Sequence, residues 1–333
     1  MPPPSSSTIK RLSLARIECT VIVPPNDVTE AERTVLHDAA QKITIDGFRP
    51  GNAPQEMLRA KIGEDTLQRE TIRMLTLKLI PSLLREHSLS PIIPPTLTIA
   101  SEEPLVLTLT FVEKPRVTVK HIKAIEKKEQ TVEDQEVEQL IESILHQQKT
   151  EDTKPPTLTD EIAKALGSPS VESLRADVKQ SLLTQKQRQE RKRREHLLFS
   201  HIADATQVDI APELINEDVR SLYVEFTERL KSANMTLTQW LKTTQKNEEE
   251  LQKDLESQAI HRIKLRFGIE HLITEKNVTI PEDRISTEIR RYLEYLPPAE
   301  RESVGKKLAP GEDEYERLRW QLTVNTLIEN LLQ

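Results

Sequence analysis

Few residues in this chain are equipped for covalent chemistry. Cys19 is the single cysteine. It sits on the apolar side of an alternating stretch, with Ile17, Val21 and Val23, where a free thiol behaves as a small hydrophobe. No base or cation beside it in sequence argues for a nucleophile. One cysteine excludes a disulfide framework and a cysteine-built zinc site. The eight histidines show no metal-ligand spacing. His196 and His201 are five apart and face different sides of a helix. His261 and His271 share a face but lack the spacing of His-Glu-x-x-His. The chain has no Gly-x-Ser-x-Gly and no Gly-x-Gly-x-x-Gly. Acyl transfer and dinucleotide binding therefore have no support, and neither cofactor nor metal is expected.

Two stretches are suited to binding instead. Lys186–His196 (KQRQERKRREH) holds six Lys and Arg against two Glu. It fits an RNA or ribosome contact. It fits better a solvated helix face braced by Glu190 and Arg194 at i,i+4, because no aromatics interleave. The other stretch is the loop Asp46–Pro54 (DGFRPGNAP). Gly47 and Gly51 permit left-handed backbone, while Pro50 and Pro54 stiffen it. Phe48 is one of two aromatics in the first 131 residues. Arg49 beside it suits a forked pair with a carboxylate or phosphate. Two uses of Phe48 stay open: an exposed binding anchor, or a plug folded back onto the core.

The loop is held between helices. Residues 1–8 read as a Pro/Ser tail, and Ile9–Val23 as strand. Thr29 and Glu32 suggest a capping box for a helix over Val28, Val35 and Ile43. Pro54 opens a second helix that Gly63 ends. A third carries Leu67, Ile72, Leu75 and Leu79, and Pro81 should kink or interrupt it. Thr96–Ala100 and Leu105–Val112 read as strands. Beyond Pro115 a short extended segment leads to a helix opened by Thr131 and Asp134, then to the polar stretch Thr150–Thr157. All later segments have helical period: Ser170–Ala205, Pro212–Leu230, Leu237–Thr244, Asn247–Glu275, Pro281–Leu296 and Glu314–Leu332.

Composition agrees with long helices. The 333 residues are 30% charged and 3% aromatic, with 7 glycines. Mean hydropathy is −0.53, low for one compact core. Net charge is −7, but residues 1–120 carry 15 Lys and Arg against 14 Asp and Glu. The first third is thus the part better suited to approach a polyanion. No apolar run reaches membrane-spanning length and no signal core opens the chain, so a cytoplasmic protein is expected.

Gly47-Phe48-Arg49-Pro50-Gly51-Asn52-Ala53-Pro54 resembles the ribosome-docking signature Gly-Phe-Arg-x-Gly-x-x-Pro of bacterial trigger factor. The flanks KITID and KIGEDTLQRE agree, as do SVESLRADVKQSL and DIAPELINEDV farther on. Asn52 stands where the family often has Lys, which weakens the electrostatic part of docking. The family usually carries an FKBP-like prolyl isomerase domain after the linker helix. Here only the eight residues 150–157 lie at that point, and a domain needs at least ~50.

The resemblance implies an α+β ribosome-binding domain over 9–118, a helical linker over 119–157 and an elongated all-α chaperone domain over 158–333. It implies a ribosome-associated, ATP-independent chaperone, and the missing isomerase segment leads to the expectation that it is not an enzyme. The expected partners are the large ribosomal subunit near the exit tunnel and nascent or unfolded chains, with no membrane and no direct DNA contact; a homodimer stays open. Gly47, Phe48, Arg49, Pro50, Gly51 and Pro54 would dock. Phe226, Leu230, Trp240, Leu241, Tyr292, Tyr295 and Leu296 are candidates for client contact, and each competes with plain helix packing, the more frequent fate of an apolar stripe. Two other functions stay open: a ribosome-independent holdase or assembly scaffold, and a prolyl isomerase with an unrecognised site.

Overall fold

The computed structural model describes residues 7–43, 45, 48, 54–147 and 158–333. Its first elements are β1 (Ser7–Arg11), β2 (Arg16–Ile22), α1 (Pro25–Lys42), α2 (Gln55–Ile62), α3 (Glu64–Glu86), β3 (Thr96–Glu102) and β4 (Leu105–Val112). The four strands make one antiparallel sheet in the order β1-β2-β4-β3. Alternation along β2 and β4 turns Ile17, Cys19, Val21, Leu107, Leu109 and Phe111 to one face, where all are buried. Ile72, Leu75 and Leu83 of α3 and Ala31 of α1 cover that face. Cys19 is buried there, paired with Leu109 and Ile9. Burial, with Glu86 adding a like charge, pushes its thiol up to about 11.

Four local expectations need correction. Ser7 and Thr8 belong to β1 and not to a tail over 1–8. Ser7 pairs with Val21, and its hydroxyl donates to Glu86 and bonds His87 Nε2 at 3.0 Å. Residues 1–6 lie outside the described residues. Ile9–Val23 is a hairpin and not one strand. Leu14 and Ala15 reverse the chain at φ 63° and 55°, a turn with no Gly or Asn to announce it. The helix α1 starts at Pro25, whose fixed φ suits the first turn. Thr29 is already inside and donates to the Pro25 carbonyl at 2.9 Å, so it caps nothing. Pro81 does not interrupt α3. The carbonyl it leaves unbonded belongs to Leu77, an exposed residue that water can serve.

The remaining elements are β5 (Val117–Val119), α4 (Asp134–Gln147), α5 (Asp160–Ala165), α6 (Val171–Ala205), β6 (Thr206–Val208), α7 (Pro212–Ser232), α8 (Leu237–Thr244), α9 (Glu248–Glu275), α10 (Glu282–Tyr295), α11 (Pro298–Lys307) and α12 (Asp313–Leu332). Caps fix several starts. Ser170 accepts from the Ser173 amide ahead of α6, and Thr236 with Gln239 forms a reciprocal box ahead of α8.

The chain forms two compact units, each from two stretches. One comprises Met1–Val117 with Val208–Ile263, the other Thr118–Gln207 with Lys264–Gln333. In the first, Val219 and Leu222 of α7 pack on Leu251, Leu255 and Ala259 of α9. In the second, Leu198 and Ile202 of α6 meet Ile269, Leu272, Leu327 and Ile328. Val137 and Ile141 of α4 pack on Leu174 and Val178. Among the described residues no helix is long and apolar enough to cross a membrane.

Candidate interaction surfaces

The loop after α1 is anchored at both ends. Ile43 donates to the Ala39 carbonyl at 2.8 Å, and Leu58 to Pro54 at 3.2 Å. Ile45 packs against Leu36, Ala40, Leu58 and Leu67, the core between α1, α2 and α3. Arg59 clasps the three helices through Glu32 and Glu64. Phe48 donates its amide to the Ile45 carbonyl at 3.1 Å, but the residue is not part of the apolar cluster and is 39% exposed. Gly47, Arg49, Pro50, Gly51 and Asn52 lie outside the described residues. Pro54 is described and precedes α2 as its cap residue.

The basic run on α6 faces inward more than expected. Glu190 is buried and takes both Arg193 Nε and Nη2 at 2.8 Å, together with the Lys128 amide at 3.0 Å. These bonds, led by Arg193, hold its carboxyl down at about 2. Arg193 also donates to the Glu126 carbonyl, and Arg194 to the carbonyls of Ile125 and Leu332. Lys186 reaches the Thr131 carbonyl at 2.8 Å and Glu136 at 2.7 Å. The run therefore stitches the extended segment 125–131 to α6. Glu190 pairs at i,i+3 with Arg193 instead of at i,i+4 with Arg194, because Arg194 is drawn to two backbone carbonyls. Arg188 and Lys192 are left exposed.

The seven candidate client residues divide. Leu230 is buried, and Phe226, Trp240 and Leu241 are partly buried in the α7–α8–α9 core or beside it. The rings of Phe226 and Trp240 meet edge to face at 4.9 Å. These four serve helix packing. Tyr292 and Tyr295 on α10 are 53% and 85% exposed, and Leu296 after them is half-buried. Tyr223 and Val224 on α7 and Trp320 on α12 are also exposed. Sequence reasoning missed these three. Val224 falls off the apolar stripe of α7, but Tyr223 stands four residues after Val219 and Trp320 four before Val324, so periodicity reads both as core and gave no signal of their exposure. No group of three metal-binding side chains occurs among the described residues.

A sheet-and-helix module with one aromatic open at a loop, followed in sequence by long helices bearing exposed tyrosines, defines a protein built around binding surfaces, as chaperones are. Residues 5–144 match the family model for bacterial trigger factor protein, and residues 170–332 match the model for its C-terminus. The trigger factor of Carboxydothermus hydrogenoformans is 22% identical over 423 aligned positions, covering 97% of this chain and 98% of the relative. That of Thermus thermophilus is 23% identical over 394, covering 95% and 96%. That of onion yellows phytoplasma is 30% identical over 144, covering 42% of this chain and 33% of the relative. A solved structure described as "Promiscuous Substrate Recognition in Folding and Assembly Activities of the Trigger Factor Chaperone" shares the fold. Its TM-score is 0.54 at 18% identity, with 98% of this chain and 99% of that one covered. The chain belongs to the bacterial trigger factor family of ribosome-associated chaperones.

Proposed function

We propose that this chain docks on the large ribosomal subunit near the exit tunnel through Gly47, Phe48, Arg49, Pro50, Gly51 and Pro54. There it shields nascent polypeptides without ATP, in the cytoplasm. One observation carries the docking assignment: Phe48 stays 39% exposed while its loop is anchored on both sides. A large aromatic held open on a braced loop is a natural interface anchor. Residues 9–118 would form the docking module, 119–157 the linker and 158–333 the chaperone part, with Tyr292, Tyr295 and Leu296 as its client contacts.

The proposal includes the lack of a prolyl isomerase domain. The two matched models leave residues 145–169 between them, too few for a domain of at least ~50 residues. The 423 positions aligned with the C. hydrogenoformans protein exceed this chain's 333 residues, so that relative has roughly a hundred positions without a counterpart here.

The test replaces Phe48, Arg49 and Pro50 together with Ala. Exposed substitutions usually move stability by about ±0.5 kcal/mol. Loss of interface anchors costs upward of ~2 kcal/mol, about thirtyfold in affinity. The variant should melt like wild type and fail to pellet with ribosomes at moderate salt. A stable variant that pellets undiminished would remove the docking assignment and favour a ribosome-independent holdase.

A further inference from the structure

The α+β module has a second surface suited to polypeptide, separate from the loop. The strand β3 is an outer strand of the sheet, so among the described residues one side of its backbone has no ladder partner. The other outer strand is guarded. Lys10 and Arg11 lie on β1, and Ser7 is tied to Glu86 and His87. Thr96–Ala100 of β3 has neither charge nor proline. Its protecting devices sit at its ends: Pro95 before it, and the bulge between Ile99 and Ser101 followed by Glu102. Beside this edge, α3 and β3 enclose an open groove of about 550 Å³ lined by Leu77, Leu97 and Ile99 and bordered by Arg69 and Arg73. Leu77 is 61% and Ile99 41% exposed.

We propose that this groove and the β3 edge bind an extended polypeptide segment as an added strand, apolar at alternate positions and acidic at one flank. Strand addition supplies main-chain hydrogen bonds to any sequence, and alternate side chains then enter the groove. Charge selects the flank. Arg73 is held only by the exposed Glu70 one turn away at 2.9 Å, a weak surface pair. Arg69 bonds only within its own helix, to the Asp65 carbonyl and the Thr66 hydroxyl. Both guanidinium groups are free to turn to a carboxylate. A second copy of this chain is a poorer occupant. Antiparallel pairing of two β3 edges keeps both α3 helices on one sheet face and brings like-charged Arg69 and Arg73 together.

The experiment is fluorescence anisotropy of the full chain with a labelled peptide of alternating Val and Thr ending in two Asp. Saturable binding is expected, and Leu77→Asp or Ile99→Lys should weaken it about tenfold. Both side chains are exposed, and melting curves check that each variant folds. Arg69→Glu with Arg73→Glu should shift preference to a Lys-flanked peptide. A peptide with proline at successive core positions lacks the donors on both of its edges and should not bind by strand addition. Binding should persist in a Tyr292→Ser, Tyr295→Ser background, which separates this surface from the α10 tyrosines. Undiminished binding by Leu77→Asp and Ile99→Lys would overturn the proposal, as would equal binding of the proline peptide. Self-association lost in Ile99→Lys, without peptide binding, would assign the edge to a second copy and overturn it too.

Discussion

Glu190 turns a basic run inward. Its carboxylate neutralises Arg193 and holds the Lys128 amide, so segment 125–131 is fastened where the sequence pattern suggested a solvated helix face. Its pKa falls from 4.5 to about 2 chiefly through the Arg193 bond. A depressed carboxylate stabilises the fold fully above its unfolded value and loses that contribution as pH drops through the folded value. The contribution should thus be whole above about pH 4.5 and drain toward about pH 2. Glu190→Gln keeps the shape but has no such proton to take up. Urea melts of both proteins should differ most near neutral pH and converge as pH falls across that window. A difference that stays constant with pH would show that the ionised form contributes nothing. Cys19 was legible in the sequence because strand alternation alone buries it. The partners of Glu190 were not, since Lys128 is 62 residues away and nothing in helical period distinguishes Arg193 from Arg194.

At the scale of elements, periodicity identified the long helices because one apolar stripe repeats through each. It missed α5, of only 6 residues, and α11, whose 10 residues PAERESVGKK hold a glycine and too few apolar side chains to make a stripe, whereas the 8-residue α8 shows one. It also says nothing about which helix meets which. Gly268 on α9 shows what was hidden. A Cβ built there would stand 2.2 Å from Thr206 Oγ1 and 2.8 Å from Ile202 Cγ2. Both neighbours are buried, and Thr206 is committed to the Ile202 carbonyl at 2.7 Å. Gly268→Ala should therefore cost about 1–3 kcal/mol, the usual range for overpacking. Gly305 on α11 is the control. Its added Cβ would meet only Leu293 Cδ1 at 3.7 Å, so Gly305→Ala should stabilise by roughly 0.5–1 kcal/mol through helix propensity. Urea denaturation of the two variants checks both signs. Equal effects would mean that α9 and α6 are not in close contact at Gly268.

Over the whole molecule, contacts join stretches that are far apart in sequence. Arg16 and Glu213 pair at 2.6 Å within one unit. Nothing in either local sequence announces that pair, so two units of two stretches each were not legible as such. The family was legible from the loop motif, because Gly-Phe-Arg-x-Gly-x-x-Pro is specific at the level of sequence. Exposure was half legible: an aromatic on a helix reads the same whether it packs, as Trp240 does, or stays open, as Tyr295 does. Exposed tyrosines join a broad apolar ring to a hydroxyl that tolerates water. They suit weak, unselective contact with unfolded chains, which requires no nucleotide and no covalent step. The full chain should therefore suppress aggregation of a denatured test protein without ATP. Tyr292→Ser with Tyr295→Ser should weaken that suppression severalfold, with little change in melting temperature, because neither ring is in a core. The same preparation should leave a proline-limited refolding rate unchanged. Uncatalysed isomerisation takes tens to hundreds of seconds, so even modest catalysis would register. A rate that rises with chaperone concentration would place an isomerase site in this chain and make part of its assistance catalytic. Suppression that survives loss of both tyrosines would move client binding elsewhere, to Tyr223 and Val224 on α7 or Trp320 on α12 as the next exposed apolar side chains of the helical region.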